Sequence, residues 1–181
     1  MTRIGQVDPT QAKGEAKRLL DGVQERLGMT PNMMKVMAAS PAALNGYLSL
    51  GVALSGGTLS AMFREQIALA VAQANLSEYY LSRHTEIAKK MGMSDNEITA
   101  SREARSDDGK CDVGLKFVSQ LVILRGRVGD LAVQRLRAAG FCDAEIAEIV
   151  ANVALCIFAN YFNDAAGTEP DFPKVSVELG L

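Results

Sequence analysis

The sequence predicts an all-α fold, and three observations predict it. Apolar residues recur at helical spacing, i, i+3, i+4 and i+7, along nearly the whole chain. Ser or Asp stands before several apolar runs and Gly after them, at helix-length intervals. No segment alternates apolar and polar residues as a half-buried strand would. The expectation is a single domain over residues 1–181 with eight or nine short to medium helices.

Each element has its own signal. From Thr10 to Leu27, apolar residues fall at Ala12, Ala16, Leu19, Leu20, Val23 and Leu27, and Gly28 is placed to cap the end. Ser40-Pro41 reads as an N-cap followed by proline at the first helical position. That helix passes through Leu44, Leu48 and Val52 and stops at Gly56-Gly57. Ser60 opens another, running to about Asn75, and a further helix spans about Ser77 to Met91, stopped by Gly92. Ser94 and Glu97 have capping-box spacing for the next. Arg102 to Lys110 is strongly hydrophilic and reads as a surface connector. Helices are then expected at about Val113–Val128, Asp130–Ala139 and Asp143–Phe162. The last is apolar almost all round, so it is expected to be buried on most sides or completed by a second subunit.

Composition excludes several function classes. The chain is 48% hydrophobic and 22% charged, as ordinary globular domains are, with a net charge of −2. That balance supplies no global positive field for nucleic acid or an anionic membrane. Three cysteines, Cys111, Cys142 and Cys156, are too few for a disulfide scaffold. The single histidine and scattered cysteines do not supply the ligands of a typical zinc site, so no metal is expected. No glycine-rich phosphate loop follows a strand, and no cofactor is expected. The N-terminus has no signal-peptide core, and no run reaches the roughly 18 uninterrupted apolar residues of a membrane span. A cytoplasmic homo-oligomer, with a possible small organic ligand, is the expectation.

The chemistry is concentrated between about residues 60 and 92. Two amphipathic helices meet near Asn75–Leu76; the first carries Arg64 and Glu65, the second His84. Ser77, Tyr80 and His84 recur at turn spacing, so they share a helix face, and Arg83 adjoins them. Glu65 is followed by eleven residues, then by Ser77, Tyr80 and His84.

This stretch closely resembles the alkylhydroperoxidase D-like branch of the carboxymuconolactone decarboxylase family. Redox-active members carry a glutamate, eleven residues, then Cys-x-x-Cys-x-x-x-His. Here the frame is intact, but Ser77 and Tyr80 occupy the two cysteine positions. Gly28-Met-Thr-Pro-Asn-Met, Met37-Ala-Ala-Ser-Pro, Ser55-Gly-Gly-Thr-Leu-Ser, Arg64-Glu-Gln-Ile-Ala-Leu-Ala and the segment from Asn160 to Pro173 also resemble peroxidase-related members. In the last of these, Asp164 stands where many relatives have histidine.

The resemblance implies an antioxidant oxidoreductase scaffold and a dimeric, trimeric or hexameric assembly. A thiolate attacks the peroxide and the second cysteine resolves the sulfenic acid, while the glutamate–histidine pair moves protons. Without its cysteines the chain is not expected to be a thiol peroxidase. Glu65, His84, Tyr80 and Ser77 remain the candidate catalytic residues, with Arg64 and Arg83 as substrate-binding candidates. A cofactor-free decarboxylase or lyase, with His84 as the proton shuttle, is one alternative. A non-catalytic binding or structural oligomer is the other.

Overall fold

The structure, a computed structural model, describes residues 2–177. Among the described residues it is all-α, with nine helices. These are α1 Gly14–Leu27, α2 Asn32–Met37, α3 Pro41–Ser55, α4 Ala61–Ala74, α5 Glu78–Lys90, α6 Asp95–Arg102, α7 Gly109–Ile123, α8 Asp130–Ala138 and α9 Asp143–Ala166.

The caps explain most boundaries. Ser40, Ser60 and Ser94 each accept a hydrogen bond from the backbone N–H three residues on. Glu97 completes the capping box at Ser94. Gly28 ends α1 in the left-handed region, φ 72°, where lack of a Cβ removes the steric cost.

Several elements differ from the sequence reading, among them α9, which runs on to Ala166 rather than ending at about Phe162. Asp8 binds the Thr10 backbone N–H and hydroxyl in a local turn, so α1 starts at Gly14 rather than Thr10. The six-residue α2 is too short to show a period; its Met33, Met34, Val36 and Met37 are all buried. Asp108 accepts from the Cys111 N–H and starts α7 at Gly109, inside the hydrophilic stretch. The helix stops at Ile123, where Arg125 and Gly126 turn the chain with positive φ.

The central element is α4, against which α5, α6, α7 and α9 all pack. Phe63 and every residue from Glu65 to Ala72 are buried. Burying each of Ile67, Leu69 and Val71 contributes about 1.5–3 kcal/mol. The apolar helix α9 is one-sided instead. Ile149, Val153, Cys156 and Ala159 face inward, whereas Val150 and Tyr161 are 45% and 62% exposed. By length and composition alone, α9 is also long and apolar enough to cross a membrane. Within this chain it packs on α3, α4, α5 and α7 as a core helix. The Glu148 carboxylate on α9 takes the backbone N–H groups of Thr58 and Leu59, fixing the turn that leads into α4.

The segment after α9 crosses back over α5. Asp171 accepts from the Asn32 backbone N–H and the Tyr79 hydroxyl, and the Val175 N–H donates to Ser82. These contacts hold α2 and the C-terminal segment on the α5 side that carries Tyr79 and Ser82.

Candidate functional site

The site forms where α4 and α5 run side by side. Leu76, at φ 56°, reverses the chain between them, and Ser77 occupies the N-cap position of α5. From there Tyr80 and His84 follow at one-turn intervals, facing Glu65 in the second turn of α4.

Glu65 and His84 are a bonded pair, each only 8% exposed. His84 Nδ1 lies 2.6 Å from Glu65 Oε1. Its other ring nitrogen, Nε2, lies 3.3 Å from Arg83 Nη1. A guanidinium has only donors, so Nε2 accepts and its lone pair is free of a proton. The proton therefore sits on Nδ1, directed at Glu65. Two bonds thus set both the tautomer and the orientation of the imidazole.

An aromatic wall closes the pair. The Tyr80 ring lies against His84, with centroids 4.1 Å apart and tilted by 42°. Arg83 also reaches the Tyr47 hydroxyl of α3 at 3.5 Å. Burial raises Tyr80 well above the ordinary tyrosine value, so its phenol stays protonated and can donate. Burial opposes the Arg83 charge, but the electron-rich oxygens of Tyr47, Tyr80 and Tyr79 together with the Glu65 carboxylate outweigh it, and the guanidinium remains cationic.

Ser77 is fully buried yet does not cap its own helix. Its hydroxyl donates to Asp164 Oδ1 on α9, 3.2 Å away. Burial raises the Asp164 carboxyl above its ordinary range, while the Ser77 hydrogen bond works the other way.

Of the residues singled out from the sequence, Glu65, Tyr80, Arg83 and His84 are brought together. Ser77 begins the same helix but pairs with Asp164. Arg64 turns elsewhere: its guanidinium donates to the Leu59 carbonyl, in the field of Glu148.

Cys156 enters the site from α9. The Tyr80 hydroxyl donates to its Sγ at 3.7 Å. Seventy-six residues separate the two in sequence, so no local spacing announces the contact. The inward period of α9 (Ile149, Val153, Cys156, Asn160) is the one signal that points there. Burial pushes the Cys156 thiol up to about 12, so it stays protonated beside Tyr80. Cys111, half-buried at the start of α7, is raised to about 11 by burial, and Cys142 is exposed at the α9 N-cap.

The helical architecture is similar to that of solved AhpD-like proteins. Over 94% of its length the chain is similar in fold to three solved structures. A peroxidase-related protein with an alkylhydroperoxidase AhpD core, from Ralstonia eutropha JMP134, has TM-score 0.84 and 20% identity, covering 94% of this chain and 92% of that one. A peroxidase-related protein from Silicibacter sp. TM1040 has TM-score 0.79 and 23% identity, covering 94% and 95%. The debrominase Bmp8, in complex with 2,3,4-tribromopyrrole, has TM-score 0.80 and 19% identity, covering 94% and 92%. No curated protein matches the chain. Residues 38–112 match the model of the Carboxymuconolactone decarboxylase family. This segment, from the end of α2 into α7, holds Glu65, Ser77, Tyr80 and His84.

Proposed function

We propose that this chain is an AhpD-like protein that has lost the dithiol peroxidase cycle and keeps a buried proton-transfer centre for a small organic molecule. The observation that carries the reading is the Glu65–His84 bond of 2.6 Å, set in the motif frame with Ser77 and Tyr80 at the cysteine positions. A carboxylate that orients an imidazole and supports its basicity is the arrangement a general base requires. A protein of the same fold holds 2,3,4-tribromopyrrole, which supports a small organic ring as ligand here. Cys156 does not replace the missing pair, because its thiol is raised to about 12 and its contact is a phenol rather than a second thiol.

The test is hydroperoxide consumption by the purified protein with dithiol or lipoyl reductants. No turnover above the protein-free rate is expected. Robust turnover, abolished by substitution of Cys111, Cys142 or Cys156, overturns the reading.

A cofactor-free lyase is the second reading, and the Arg83–His84 contact favours it. A substrate carboxylate that draws Arg83 to itself uncovers the Nε2 lone pair for proton transfer. Proton exchange or carbon dioxide release from muconolactone-type acids, lost in His84→Ala, supports it; equal rates in both proteins reject it. We also propose a cytoplasmic homo-oligomer, with a second copy covering the exposed Val150 and Tyr161 of α9. Light scattering that gives the monomer mass rejects that assembly.

A further inference from the structure

The net charge of −2 conceals a local imbalance. Between Lys116 and Gly140 stand five cations, Lys116, Arg125, Arg127, Arg135 and Arg137, against one carboxylate, Asp130. Lys116 is tied to Asp112 and Arg137 to Asp143. Arg125, Arg127 and Arg135 are exposed, and among the described residues their guanidinium groups have no partner.

The same stretch holds the two most exposed large aliphatic side chains among the described residues, Ile123 at 70% and Leu131 at 69%, with Leu124 exposed between them. Ile123 ends α7 and Leu131 lies in the first turn of α8. Leu131 and Arg135 are one turn apart and share a helix face. Arg125 has φ 53°, a left-handed conformation in which glycine is favoured, so a guanidinium is held where a smaller residue is sterically easier.

We propose that this α7–α8 tip docks on an anionic bilayer surface. Ile123, Leu124 and Leu131 enter the headgroup region, and Arg125, Arg127 and Arg135 pair with lipid phosphates. Three aliphatic side chains are too few for the core of a stable protein–protein interface. Together with three free cations they suffice for reversible interfacial binding, which scales with buried apolar area plus attraction to anionic lipid. A depression of about 780 Å³ between α7 and α8 takes in Arg135 but none of residues 123–131. The global charge that argues against a membrane averages over this patch.

The test is co-sedimentation of the full chain with vesicles of three parts phosphatidylcholine to one part phosphatidylglycerol, against vesicles of phosphatidylcholine alone. Binding to the anionic vesicles only, weakened by salt, is expected. The Arg125→Ala/Arg127→Ala/Arg135→Ala variant should lose affinity about fivefold per arginine, on the order of a hundredfold together. Ile123→Ser/Leu131→Ser should also bind more weakly, with an unchanged circular dichroism spectrum and the oligomeric mass of the parent. Failure of the parent to sediment overturns the proposal. Undiminished binding by the serine variant reduces the patch to a general polyanion site and overturns it too. A change of oligomeric mass in the serine variant assigns the face to a second copy and overturns it as well.

Discussion

Ser77 donates a hydrogen bond to Asp164 across 3.2 Å, joining the N-cap of α5 to α9. Ser77 begins α5, and Asp164 lies near the end of α9. A serine hydroxyl satisfies a carboxylate there. A thiolate would not, because the neighbouring anion disfavours its charge even at a helix N-terminus. On the proposed reading, a cysteine at position 77 and a carboxylate at position 164 are therefore electrostatically incompatible.

This coupling predicts how peroxidase activity could be conferred. The triple variant Ser77→Cys/Tyr80→Cys/Asp164→His should consume hydroperoxide with a dithiol reductant. The double variant Ser77→Cys/Tyr80→Cys, which keeps the Asp164 carboxylate, should be slower by roughly tenfold, the effect of one pKa unit on the thiolate fraction. Stopped-flow peroxide consumption on folded protein, with thiols counted by Ellman titration, measures both. Equal rates in the two variants contradict the coupling.

The bonds around His84 predict its tautomer. Nitrogen-15 NMR of the imidazole should show the proton on Nδ1 and an unprotonated Nε2 facing Arg83. Glu65→Ala removes the acceptor of a buried N–H and should destabilise the protein by about 1–3 kcal/mol in urea unfolding. Glu65→Gln keeps an acceptor oxygen and should lose less. A resting Nε2–H form would remove the general base from the proposed function.

Glu148 predicts a pH dependence. The backbone N–H of Thr58, then that of Leu59, holds its carboxyl below the ordinary 4.5, against a smaller effect of burial. A folded pKa below the unfolded one contributes stability that is present above about 4.5 and lost as pH falls through the lowered value. Glu148→Gln should therefore be less stable than the parent by about 1 kcal/mol at neutral pH, a figure reduced for solvent screening. The gap should close in acid. Urea unfolding across that range checks it, and a gap that widens towards low pH contradicts the assignment.

Most of the helices are legible because their caps are local. Ser40, Ser60 and Ser94 bind backbone three residues away, and that spacing is written in the sequence. The Glu65–His84 frame is legible for a related reason, since one tight turn joins two regular helices and fixes the relative register of their side chains. The contacts that α9 makes with the site are not. Cys156 meets Tyr80 and Asp164 meets Ser77 from 76 and 87 residues away, by tertiary packing alone. Of the two outcomes expected for α9, burial on most sides or completion by a second subunit, the first does not hold within this chain, for a similar reason. Apolar residues surround that helix, but only the contacts show that α4 occupies the centre and that α9 keeps an open face.

Gly114 tests how α7 approaches that centre. A Cβ at this buried position would stand 2.5 Å from Phe63 Cζ and 2.9 Å from Phe141 Cζ. The two rings are themselves in contact, with centroids 5.7 Å apart, so neither can retreat freely. On an exposed helix face, glycine to alanine gains about 1 kcal/mol of helix propensity. Here overpacking, which typically costs about 1–3 kcal/mol, opposes that gain, and Gly114→Ala should be destabilising by about 1 kcal/mol net. Phe63→Leu leaves space at the same point and should itself be destabilising. In the double variant the added methyl occupies part of that space, so the combined loss should fall short of the sum of the single losses. Thermal or urea unfolding of the four proteins measures the coupling. Strict additivity would show that the methyl does not meet the Phe63 ring, and that another feature sets the close approach of α7 to α4.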